Sequence, residues 1–216
     1  YNVKFTKRNL TTHIESLDAQ VYYNYVDHVM DNYSLRDVVA GRTNVAMNPD
    51  RETSGGRLSM KLKPSPRTDV ILGVDTQANT HTNRSSMNQT MMPYESMARI
   101  QDAEFEQRGV FTELGFDIDA RQRVVTGLRL DDWQVTDNRS EVFLSMMSTA
   151  PNPTAGLTVD DTLTSGFLRY ERVLDWRGAN FFAGLGHSER FPDYWEMIAK
   201  ESTTSVSALE AESEKT

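Results

Sequence analysis

His28 and Met30 stand two residues apart in the stretch QVYYNYVDHVMDNY. On an extended strand, residues i and i+2 point to the same face, so an imidazole and a thioether would project side by side. A thioether is a soft ligand, and beside an imidazole nitrogen it suits copper, Cu(I) above all. Calcium and magnesium prefer oxygen and gain little from such a pair. The spacing also arises often by chance, and both side chains could equally be packing residues. Met87, Met91, Met92 and Met97 crowd a second stretch, SSMNQTMMPYESM, and Met146 and Met147 lie together further on. Loops of this kind could collect soft ions, or their flexible side chains could pack over neighbouring structure.

Other chemistry finds little material. The chain has no cysteine, which excludes disulfide frameworks, thiolate metal sites and cysteine nucleophiles. There is no nucleophile-elbow glycine pattern and no phosphate-cradling glycine loop, so no enzyme activity and no catalytic cofactor are expected. A net charge of -8 argues against nucleic acid as a partner. His13, His81 and His187 receive no role: His13 lies near a short turn, His81 follows an inward parity without a recognisable partner, and His187 has an outward parity.

The elements that would carry His28 and Met30 read as strands. From Val70 to Ala78 the even positions are Val, Leu, Val, Thr and Ala, while Gly73, Asp75, Gln77 and Asn79 occupy the other face. Val110, Thr112, Leu114, Phe116 and Ile118 alternate in the same way against Glu113, Gly115 and Asp117. One face is therefore apolar and the other polar. We expect about eight such strands, near 1–9, 15–30, 55–64, 69–82, 106–118, 123–137, 163–175 and 178–190, guided by a membrane strand length of roughly 9–11 residues. No run approaches the roughly 20 apolar residues of a spanning helix.

Connection lengths alternate as well. Short turns at 63–68, 119–122 and 175–178 contrast with long polar stretches at 31–54, 83–105 and 138–162. Short turns on one side and long loops on the other are the habit of outer-membrane barrels. Tyr22, Tyr23, Tyr25, Phe105, Phe111, Trp133 and Trp176 fall near expected strand ends and would suit interfacial girdles. The soluble alternatives, a β-sandwich or a lipocalin-like barrel, would want larger apolar residues than Thr76 and Ala78 on the core face. Because the alternation is under way at Tyr1 and the polar end at Thr216 closes no element, residues 1–216 read as a partial barrel domain. Within it, His28 and Met30 share the parity of Asn24, opposite to Val21, Tyr23 and Tyr25, which points both into the lumen.

The segment GLGHSERFPDYWEM, 184–197, resembles the strand-then-loop motif S-x-R-x-P, aromatic, E-L/M of TonB-dependent outer-membrane receptors. Pro192 would end the strand after Arg190, and Tyr194 and Trp195 would lie at the membrane surface. The stretch 20–33, with Gly55-Gly56-Arg57-Leu58 and Trp176-Arg177-Gly178, is similar to the copper-receptor branch of that family.

The resemblance implies an all-β, antiparallel transmembrane barrel of about 22 strands with a plugged lumen, in the Gram-negative outer membrane, of which this chain supplies about eight strands. It implies copper as cargo, with His28 and Met30 as the barrel-side ligands of a His-x-Met motif. An amino-terminal plug would supply the other ligands, including a Cys. Partners would be the plug, a TonB complex engaged through the amino-terminal part, and outer-membrane lipid. A siderophore or haem receptor keeps the family and changes the cargo. A passive porin-like channel or a soluble β-rich binding protein changes the class.

Overall fold

The computed structural model describes residues 1–145, 148–176, 178–198, 209 and 211–216. Met146, Met147 and Arg177 of the sequence analysis lie outside them. Eight strands form one antiparallel sheet in which chain neighbours pair: β1 (Asn2–Arg8), β2 (Ile14–Asp27), β4 (Ala46–Ser65), β5 (Thr68–Ser86), β6 (Ile100–Asp117), β7 (Gln122–Asp137), β10 (Thr158–Val173) and β11 (Asn180–His187). The short β3 (Met30–Asp31) pairs with β4 above the end of β2. The hairpin of β8 (Glu141–Ser145) and β9 (Ser148–Pro151) tops β7, and β12 (Glu189–Arg190) pairs with β13 (Glu214–Lys215). The meander and its alternation are those expected of a barrel wall.

The long loops are shorter than expected because the strands outlast the alternation. β4, β5 and β6 run for 20, 19 and 18 residues, against roughly 9–11 needed to cross lipid. They take residues 46–54, 83–86 and 100–105 from the expected loops. Above the membrane the outer face no longer has to be apolar. The period-two signal fades there while the hydrogen-bond ladder continues.

Register settles the two faces. Phe5, Ala19, Leu58, Val74, Val110 and Leu130 are successive cross-strand partners in one row over six strands. Within that row Phe5, Leu58, Val74, Val110 and Leu130 are exposed, as are Leu72, Leu114, Phe116, Leu128, Leu168, Phe181 and Leu185 on the same face. A continuous apolar face this broad belongs against hydrocarbon rather than water. The opposite, concave face carries Asp75, Gln107, Arg129 and Asp131. Arg129 grips Asp75 with two nitrogens at 2.9 and 2.7 Å and reaches Asp131 from Nε at 2.6 Å. The guanidiniums of Arg57 and Arg129 lie 4.2 and 5.8 Å from the centre of the Phe111 ring. That ring occupies the space a side chain at position 73 would need, which is why Gly73 interrupts β5.

Several aromatics are turned the other way from the girdle expectation. Tyr23, Tyr25 and Trp176 are exposed, but Tyr22 donates to Gln77 on the lumenal face at 3.0 Å. Phe105 and Trp133, like Phe111, also point inward. Position along the strand suggests a girdle, yet parity decides, and these four have lumenal parity.

The inward aromatics have a partner that the sequence reading placed elsewhere. The chain after β12 folds over the concave face, so that Phe191, Tyr194, Met197, Ile198 and Leu209 form one buried cluster with Ala103, Phe105, Val135 and Leu163. Phe191 stacks on Trp133 with ring centres 5.6 Å apart. A single helical turn, α1 (Tyr194–Met197), shapes this segment. Asp193 accepts from the backbone of Trp195 and Glu196 at 2.9 and 3.2 Å, and Glu196 accepts from the backbone of Asp193 at 2.8 Å. This reciprocal cap is written in the sequence as D-x-x-E. Tyr194 is thus buried in the lumen rather than lying at the membrane surface, and Trp195 is the exposed ring of the pair.

Candidate functional site

His28 follows the end of β2 and Met30 opens β3, so the two stand across an interruption in the ladder. Regular pairing stops at Asp27 and resumes at Met30, leaving His28 and Val29 outside strand geometry. The backbone N–H of His28 still donates to the carbonyl of Pro49 at 3.3 Å. The register is unchanged across the break, since Asp27 faces Asp50 below it and Met30 faces Met47 above it. Parity is therefore preserved, and His28 and Met30 share the face of Tyr22. That is the lumenal face, as the sequence alternation indicates.

Met47, absent from the sequence expectation, is brought into the same place. It is the cross-strand partner of Met30, and partners in an antiparallel pair project from the same face with Cβ atoms about 4.5–5.5 Å apart. Met30 is 41% and Met47 40% exposed on these strands. The signal that could have found Met47 is register, which a single sequence does not disclose across a 14-residue connection, 32–45. Among the described residues, no group of three or more His, Cys, Asp or Glu could hold a metal.

The outward side of the same strands is tied to His28 by a buried asparagine. Asn48 is 1% exposed, and its side-chain nitrogen donates to the backbone carbonyl of His28 at 2.9 Å and to the carboxylate of Asp27. Its side-chain oxygen accepts from Arg84 Nε at 2.7 Å and from Arg99 at 2.8 Å. Arg99 also donates to the backbone carbonyl of Asn48 at 3.1 Å and pairs with Asp27 and Asp50 at 3.1 and 2.9 Å.

Arg99 arrives from the connection holding Met87, Met91, Met92 and Met97. This loop lies along the outer face of β4 and β5. Arg84 sits over the Tyr94 ring at 5.2 Å, and Ser86 donates to the carbonyl of Met92. All four methionine side chains are exposed.

His81, left without a partner by the sequence, has two. A register shift between β5 and β6 leaves Asp102 as an extra residue beside Ala103, and Asp102 joins it in the buried interior. His81 Nδ1 lies 2.6 Å from Asp102 Oδ1, and the Tyr194 hydroxyl donates to Asp102 Oδ2 at 2.6 Å. The rings of His81 and Tyr194 stack 3.6 Å apart. Burial, reinforced by the Asp102 charge, pushes the Tyr194 phenol well above its usual value. These groups anchor the inward segment and stand apart from His28. His187 is exposed and faces Glu189 at 3.2 Å, in keeping with its outward parity. His13 lies in the β1–β2 turn.

Residues 1–214 match the family model described as TonB dependent receptor-like, beta-barrel. A search of curated proteins finds no match. Among 27 matching chains of solved structures is the copper transporter OprC, at 39% identity and a TM-score of 0.86. That match covers 92% of this chain and 32% of OprC, so the chain spans about a third of that protein's length. TonB-dependent receptors are transport proteins, not enzymes. With the family model matched over nearly its whole length and a barrel wall to match, the chain belongs to the TonB-dependent receptor family and forms part of its β-barrel.

Proposed function

We propose that the receptor to which these strands belong carries copper across the outer membrane, with His28 and Met30 as its barrel-side ligands. The observation that supports this reading is the pairing of Met30 with Met47 on the lumenal parity, two residues beyond His28 in an unchanged register. Similarity to the copper transporter OprC supports the same cargo. Soft donors of this kind hold Cu(I) in preference to the harder ions abundant outside the cell.

The mechanism has three parts. The exposed methionines of the 87–99 loop raise the local concentration of copper. His28 and Met30 then bind the ion together with groups from the plug that fills the lumen, and Met47 stands directly beside them. Energy relayed through the TonB complex displaces the plug and releases the ion inward. A bulky siderophore or haem would instead meet lumenal arginines and aromatics. Here Arg129 is occupied by Asp75 and Asp131, and Trp133 by Phe191.

Cellular uptake tests the proposal. Cells whose only copper receptor is the full-length protein should accumulate copper in a TonB-dependent manner, and a His28→Ala/Met30→Ala variant at equal abundance should not. Equal accumulation by the variant, or TonB-dependent uptake of a ferric siderophore in place of copper, would overturn it.

A further inference from the structure

We infer that Asn48, gripped by Arg99, is a positioning residue for His28, setting the imidazole from the side of the barrel wall that faces away from the metal. The inference rests on the copper reading of His28 and deepens it. At His28 the ladder is one-sided: the His28 N–H still donates to the Pro49 carbonyl at 3.3 Å, while Pro49, which has no N–H, donates nothing back. The His28 carbonyl is therefore left without a ladder donor and needs another group to hold it. Asn48 does so from β4, donating to the His28 carbonyl while its second donor holds Asp27, the last regular residue of β2.

The asparagine has no spare capacity. Two donors and two acceptor positions are filled by Asp27, His28, Arg84 and Arg99, at a site closed to water. Full satisfaction of a buried amide admits one orientation, because a flipped amide would aim its N–H groups at two guanidiniums. Arg99 adds the link to the outside. Its fork ties Asn48, Asp27 and Asp50 to the far end of the methionine-bearing loop. The loop and the His28 backbone therefore share one set of hydrogen bonds, and partners behind a metal ligand commonly change metal affinity by about 10–100-fold when removed.

The test uses the full-length receptor in detergent, titrated anaerobically with Cu(I) and examined by copper-edge X-ray absorption. Asn48→Asp keeps size and both acceptors but removes the donated bond to His28. Expected are copper affinity lower by about 10-fold and a weakened imidazole contribution to the spectrum, with sulfur scattering retained. Arg99→Lys keeps the charge and loses the fork, and carries the same readout if Asn48→Asp binds no copper or fails to assemble. An unchanged affinity, or a lower affinity with the imidazole contribution intact, would overturn the positioning role. A wild-type receptor that binds no Cu(I), or binds it without imidazole, would instead bring down the copper reading on which the role rests.

Discussion

Met30 and Met47 face each other across β3 and β4, so the two thioethers leave one lumenal surface side by side. On the proposed copper reading, Met47 adds a second thioether from the neighbouring strand to the pair His28 and Met30. Met47→Leu removes the sulfur and nearly preserves volume. Copper affinity of the full-length receptor should fall, by about 10-fold or less, and by less than for Met30→Leu. Isothermal titration of both variants with Cu(I) checks the order; a larger loss at Met47 would make it the principal sulfur.

The apolar row on the outer face predicts a strong asymmetry between neighbouring positions. Leu72→Arg or Val74→Arg puts a charge against hydrocarbon and should cost about 2–4 kcal/mol near the membrane midplane. Gln77→Lys, on the lumenal parity of the same strand, should cost well under half as much. Unfolding in denaturant after reconstitution into lipid vesicles measures both. Similar losses at the two faces would contradict the register described for β5.

Gly73 makes room for the Phe111 ring, on which Arg57 and Arg129 rest. Gly73→Val should destabilise the barrel by about 1–3 kcal/mol through overpacking. Adding Phe111→Ala should recover part of that loss, whereas two unrelated effects would add. A double-mutant cycle in denaturant reads the difference.

The inward segment should come loose in alkali. Burial raises the Tyr194 phenol above its usual value, so folding favours its neutral form. Stability from docked Tyr194 is then fully present below the ordinary tyrosine value of about 10 and declines as pH rises beyond it. Limited proteolysis within 190–198 of the assembled receptor should accelerate above about pH 10 in wild type. In Tyr194→Phe, which cannot ionise, that alkaline onset should vanish; the same onset in both proteins would assign it to another group.

Much of this was legible in the sequence, and the failures share a cause. Alternation at Val70–Ala78 and Val110–Ile118 identified strands because hydrocarbon imposes a pattern on every second residue. The same logic gave Met30 the lumenal parity that its pairing with Met47 keeps. Beyond the membrane nothing imposes that pattern, so Ala46–Ser54 and Ile100–Phe105 read as loop though they continue β4 and β6. Contacts between distant segments left no local trace. Met47 beside Met30, Asp102 and Tyr194 around His81, and Phe191 on Trp133 all depend on register or on the path of a loop. The aromatic girdle failed at Tyr22, Phe105, Phe111 and Trp133 because proximity to a strand end was read without parity.

The most direct test of the account is the metal content of the full-length receptor, purified from outer membranes after exposure to copper. Elemental mass spectrometry would quantify Cu, Fe and Zn in wild type and in the His28→Ala/Met30→Ala variant. Near-stoichiometric copper is expected in wild type and its loss in the variant, with iron and zinc at trace level in both. Equal copper in both proteins would remove His28 and Met30 as essential ligands, and no copper in either would contradict copper as the cargo.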